Sequence, residues 1–126
     1  MACDARRKGK NAELTCAKLI NELFPHAQCR RSQQFKGDKT AADLTCDGLP
    51  GIMVEVKRRQ SMNLHSVMNK SLEDCTEDQT PVIVHRKDNE EWLLTVRLED
   101  LPDMMWKFLR EGSPRRKDKD VEPEPD

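Results

Sequence analysis

Gly51-Ile52-Met53-Val54-Glu55-Val56-Lys57-Arg58 is the stretch on which the fold turns. Ile52, Val54 and Val56 alternate with Met53, Glu55 and Lys57, the period of a β-strand over 52–57. Asp47-Gly48 and Pro50-Gly51 punctuate a turn just before it, so the segment 42–46 is expected to fold back alongside as the other arm of a hairpin. A weaker strand is expected at 27–31, with Gly37-Asp38-Lys39 in the loop between.

Helices and further strands extend outward from this hairpin. Ala12, Cys16, Leu19, Ile20, Leu23 and Phe24 recur at helical spacing, which predicts an amphipathic helix over 8–24 stopped by Pro25. Leu64, Val67, Met68, Leu72 and Cys75 give a second helical stripe that ends before Pro81. Val82-Ile83-Val84 is rich in β-branched residues and reads as a strand over 81–85. Asp88-Asn89 makes a polar turn, and 92–96 is its antiparallel partner. Asp100 is expected to cap a last helix with Pro102 in its first turn. Met104, Met105, Trp106 and Phe108 supply that helix with apolar surface, most of it core and part of it a candidate dimer face. The order αβββαββα predicts an α/β fold with a central mixed β-sheet flanked by helices.

Residues 1–7 read as a flexible arm, 8–111 as one domain, and 112–126 as a charged, proline-bearing tail without a core. A length of 126 residues suits one domain. No apolar run approaches the roughly 20 residues of a membrane span, which excludes an integral membrane helix. The charged start, residues 1–10, predicts no secretory signal. Five cysteines at scattered spacing, with no CxxC pair, argue against a structural zinc site or a disulfide scaffold. A reducing, cytoplasmic setting follows.

The net charge of −1 conceals an asymmetry. Residues 1–60 hold 12 Lys and Arg against 7 Asp and Glu, whereas residues 61–126 hold 10 against 16. The basic clusters at residues 6–10, 30–31 and 57–59 suit the electrostatics of a phosphate backbone.

The chemistry concentrates in a few residues. Glu55 and Lys57 lie two apart on a strand, so both leave the same face. The turn brings Asp43 within reach of Glu55, and two carboxylates are a natural ligand set for Mg²⁺. Lys57 beside such an ion suits orientation of a water and stabilisation of a charged transition state. Glu13 lies at the margin of the first helix's apolar stripe, where a carboxylate needs a partner. Taken singly, each is an ordinary surface charge; their order and spacing together carry the signal. His26, His65 and His85 share no face, and Cys16, Cys46 and Cys75 read as small buried hydrophobes.

This arrangement resembles the PD-(D/E)xK nuclease superfamily, within it the archaeal-type and phage Holliday junction resolvases. The matching residues are Arg7-Lys8-Gly9 with Ala12-Glu13, Arg31-Ser32, Asp43-Leu44 and Val54-Glu55-Val56-Lys57, across residues 7–60. The resemblance implies a restriction-endonuclease-like core and a Mg²⁺-dependent endonuclease, with Mn²⁺ as a substitute. It implies that Asp43, Glu55 and the Val56 carbonyl bind metal, that Lys57 positions water, and that Glu13 adds a carboxylate directly or through water. Arg31 and Ser32 would lie near the scissile phosphate, and Arg7, Lys8, Lys10, Arg30, Lys36, Lys39, Arg58 and Arg59 would bind DNA. A homodimer resolving four-way junctions follows from the two-fold symmetry of that substrate. The alternatives are the same chemistry on other DNA structures, in phage replication, repair or defence, and a non-catalytic DNA-binding relative. Ala42 departs from the superfamily's proline, and the loop 33–41 is longer than in the resolvases. Aromatics are scarce, and Phe35 is the one loop aromatic able to wedge into a junction.

Overall fold

A computed structural model of the chain describes residues 2–33 and 42–111, and within them the expected succession of elements is present. Helix α1 runs Ala2–Leu23. Residues 2–7 therefore belong to the helix and do not form a separate arm; Ala and Arg there are strong helix formers, and their propensity outweighs the local charge. Ala12, Cys16 and Ala17 are buried against the sheet, and their small side chains let the helix approach closely. Leu23, assigned to the apolar stripe, is instead 63% exposed. Pro25 ends α1 and opens one tight helical turn, Pro25–Ala27. That turn occupies Ala27, so the first strand starts two residues later than expected.

Strands β1 (Cys29–Arg31), β2 (Leu44–Cys46), β3 (Ile52–Arg58), β4 (Thr80–Arg86) and β5 (Leu93–Thr95) form one sheet whose spatial order equals their chain order. Neighbours are antiparallel except β3 and β4, which run parallel with Val54 opposite Val82 and Lys57 opposite His85. Helix α2 (Leu64–Asp74) supplies the crossover that a parallel pair requires, starts at Asn63 and packs on β4. The fold is α/β, a five-stranded mixed sheet flanked by helices.

The main core lies between α1 and one face of the sheet, where Leu44, Cys46, Ile52, Val54, Val56, Val82 and Val84 gather. Met53 and Ile83 alternate with these residues and are buried on the other face. β3 is thus covered on both faces up to Val54, and only from Glu55 onward does the second face open. Helix α3 (Leu101–Trp106) continues into a wider helical turn, Lys107–Glu111. Asp100 does not cap it, because both its carboxylate oxygens are held by Arg97 at 2.8 and 3.3 Å. The apolar group of α3 divides: Met104 and Phe108 pack on the core, Phe108 with its ring 5.2 Å from that of Phe24, while Met105 and Trp106 face outward.

Cys29 and Cys46 stand directly opposite on β1 and β2, with Cα atoms 3.9 Å apart, and are joined by a disulfide. This corrects the reading of Cys46 as a plain buried hydrophobe. It also removes the cysteine argument for a reducing compartment. Among the described residues, no helix is long and apolar enough to cross a membrane.

Candidate functional site

The candidate residues meet at one end of the sheet, where β1 finishes, β2 begins and β3 runs on past both. Leu44 pairs with Val54 and turns into the core, so alternation turns Asp43 the other way. The Asp43 amide still donates to the Val54 carbonyl at 3.1 Å, but among the described residues no main-chain bond continues the β2–β3 ladder beyond it. The carboxylate takes over that role: Asp43 Oδ2 accepts from the Val56 amide at 2.8 Å. Strand geometry puts the Val56 carbonyl on that same edge of β3, beside Asp43.

Glu55 forms a side-chain hydrogen bond with Asp43. Burial, the charge of Asp43 and that hydrogen bond push the Glu55 carboxyl up to about 8; Lys57 opposes the shift and Asp74 adds slightly to it. Two acids this close cannot both ionise in a half-buried site, so Glu55 keeps a proton at neutral pH. Glu13 approaches from α1. Its carboxylate accepts from Arg31 Nε at 2.6 Å, and burial with the nearby Asp43 charge raises it, against the pull of Arg31 and Lys57. Beneath them the buried Cys16 thiol is pushed up to about 12 by burial and by the charges of Asp43 and Glu13, so it is inert as a nucleophile. Ser32 is buried, its hydroxyl 2.7 Å from that of Thr45 and its amide donating to the Asp43 carbonyl.

Asp43, Glu55, Lys57, Glu13 and Arg31 are therefore one electrostatic group. Its parts are unequal. Glu13 is committed to Arg31, and among the described residues no three His, Cys, Asp or Glu side chains gather as a metal cage. The pair Asp43 and Glu55 remains, with the strand edge at Val56 beside it.

The expected DNA-binding residues separate in the same way. Arg30 pairs with Asp47 at 2.6 Å, and Lys8 and Arg58 converge on Asp88 at 3.3 and 2.9 Å. The hydrogen bonds from Arg58 and then Lys8 hold the Asp88 carboxyl below its usual range. Arg7, Lys10 and Arg59 are exposed. Lys36, Lys39 and Phe35 lie outside the described residues. The sequence reading missed two neighbours of the site: Asp88, which gathers two cations, and His85, opposite Lys57. No sequence signal identifies either, since both depend on the register of β3 against β4.

No family model matches the chain, and neither a curated protein nor a solved structure matches it.

Proposed function

We propose that the chain is a metal-dependent, structure-selective DNA endonuclease that resolves four-way junctions as a homodimer, on a restriction-endonuclease-like core. The observation that carries this reading is the convergence of the Asp43 and Glu55 carboxyl groups beside Lys57, with Asp43 held by the Val56 amide. A protein has little reason to hold such a pair unless something of opposite charge replaces the proton. The donor set fits Mg²⁺ or Mn²⁺: one or two carboxylates plus a carbonyl, with water completing the coordination. When bound, the cation would polarise a phosphate oxygen and acidify an attacking water.

The chain's own residues do the rest. Glu55, once deprotonated, would hold the ion together with Asp43. The Val56 amide fixes the orientation of Asp43. Lys57 leaves the same strand face as Glu55, where its ammonium orients the water and offsets charge building on the phosphate. Glu13 holds the guanidinium of Arg31 at the end of β1, aimed for a phosphate oxygen, and so acts as a positioning residue. Exposed Met105 and Leu109, with Trp106, give a second copy an apolar surface to cover.

The test is cleavage of a labelled four-way junction and of linear duplex, each with Mg²⁺ or EDTA. Paired symmetric nicks on the junction, only with Mg²⁺, are expected. Equal cutting of duplex would move the activity to other DNA structures. Tight binding without cleavage under any metal would remove the hydrolase altogether.

A further inference from the structure

The two outer edges of the sheet are finished differently. At β1 the Asn21 side chain bonds both main-chain groups of Cys29, accepting from its amide at 2.6 Å and donating to its carbonyl at 2.9 Å. Helix α1 thus closes that edge, and the charges of Arg30 and Arg31 guard it further. At β5 the edge is open: among the described residues β4 is its only neighbour in the sheet. Leu93-Leu94-Thr95 holds no charge and no proline, the usual protection of such an edge. Leu93 and Leu94 leave opposite faces and are 59% and 45% exposed.

We infer that this edge pairs with the same strand of a second copy, antiparallel about a two-fold axis at Leu94, joining the two sheets into one. In such a pairing, residues equally far from the axis stand opposite each other. Leu94 then meets the partner's Leu94, Leu93 meets the partner's Thr95, and Glu91 meets the partner's Arg97. Opposed side chains must share a face, and these two charges do. Exposed Glu91 lines one cavity with Leu93 and with Leu64, the first residue of α2. Arg97 keeps extended backbone (φ −66°, ψ 140°), and its guanidinium lies near Cys75 at the end of α2. Moving the axis one residue either way sets Glu91 against the partner's Thr95 or the partner's Glu99 and loses the charge match. A one-residue slip in register would oppose side chains of different faces.

Three paired residues are too few to hold a dimer, which buries on the order of 1,200 Å² or more in all. Further apolar surface lies beside the axis on the α1 face. There Leu94 shares a crevice with Trp92, Phe108 and the 63% exposed Leu23. Phe108 precedes exposed Leu109, so this surface reaches the turn that follows α3. The pairing does not rest on the nuclease reading, but it has a consequence for it. An axis normal to the sheet keeps the Glu55 and Lys57 faces of both copies on one side, five strand spacings or about 24 Å apart across the sheet.

The test is sedimentation of the full-length protein without DNA over a concentration series. A dimer is expected, weakened roughly tenfold or more by Leu94→Lys, which brings two ammonium groups together at the axis. Glu91→Lys, at an exposed position outside the strand, is expected to weaken it roughly threefold, and circular dichroism of both variants checks the fold. Leu94→Cys under mild oxidation is expected to give a covalent dimer, because opposed residues of an antiparallel pair lie within disulfide range. Leu109→Cys and the wild type, with its own free Cys16 and Cys75, are expected not to. A monomer at every concentration, a dimer that folded Leu94→Lys leaves intact, or no cross-link through Leu94→Cys overturns the pairing. Cross-linking through Leu109→Cys alone would move the interface to the α3 face. None of these outcomes touches the Asp43–Glu55 site, which the cleavage assay judges separately.

Discussion

The two ends of the β1–β2–β3 hairpin layer are built on opposite principles. At the turn end the chain is tied down: Cys29 is bonded to Cys46, Leu49 is 1% exposed in the connection, and Gly48 donates to the Ala27 carbonyl at 2.8 Å. A Cβ on Gly48 would collide with the His26 carbonyl, so only glycine fits that approach. At the other end the strands part, a carboxylate stands in for a ladder partner, and burial beside the charge of Asp43 raises the Glu55 carboxyl. A closed end that fixes the strands allows the open end to hold groups that repel one another. Like-charge clusters persist where the surroundings over-determine them.

Changes at each end should therefore fail differently. The largest effect is expected from Glu55→Ala and Lys57→Ala, each lowering junction cleavage by roughly a thousandfold or more while binding in EDTA changes only a few fold. Single-turnover cleavage and gel shift would measure the two; equal loss of both would mean that the open end is merely structural. At the closed end Gly48→Val should cost about 2–4 kcal/mol in urea unfolding, because backbone must move to admit the side chain. Reducing Cys29–Cys46 should cost about 3 kcal/mol by the loop entropy of the 17 residues it spans. A loss of cleavage under reduction, with the fold intact by circular dichroism, would tie the two ends together.

The smallest effect is the most diagnostic. Glu55 has its folded pKa raised from 4.5 to about 8, so between those values the native state holds more protons than the unfolded one. Stability therefore falls as pH rises through that window, and the loss is complete above it. Glu55→Gln removes the repulsion and should raise stability at pH ~9 by roughly 1–2 kcal/mol after solvent screening, with no gain at pH ~4. Titration of Mn²⁺ near neutral pH should release about one proton per ion bound in the wild type and none in the variant. Release that is the same in both would place the ion elsewhere.

The alternation of residues 52–57 was sufficient to read β3, and the β-branched run 82–84 to read β4, because both patterns are local. The grouping of Asp43 with Glu55 was legible for the same reason, since one short turn fixes the hairpin. Pairings over longer distances were not. Cys29 and Cys46 give no hint of facing each other until the register of β1 on β2 is known, and His85 meets Lys57 only through a parallel pairing made by way of α2. Asp100 and Glu13 show a different limit. Each was assigned a role that an arginine, three residues away for one and on another element for the other, takes over. A carboxylate commits to the nearest guanidinium, and sequence spacing does not say which that is.

The shared grip of Asp88 on Lys8 and Arg58 bears on how a polyanion would be felt at long range. A cation already neutralised within the protein sheds few condensed counterions from the DNA when it exchanges one anion for another. Nine cationic positions would suggest a steep fall of affinity with ionic strength. In a chain that binds DNA as proposed, the internal partners of Lys8, Arg30, Arg31 and Arg58 would flatten that slope, so binding would persist at salt concentrations where a simple basic patch lets go.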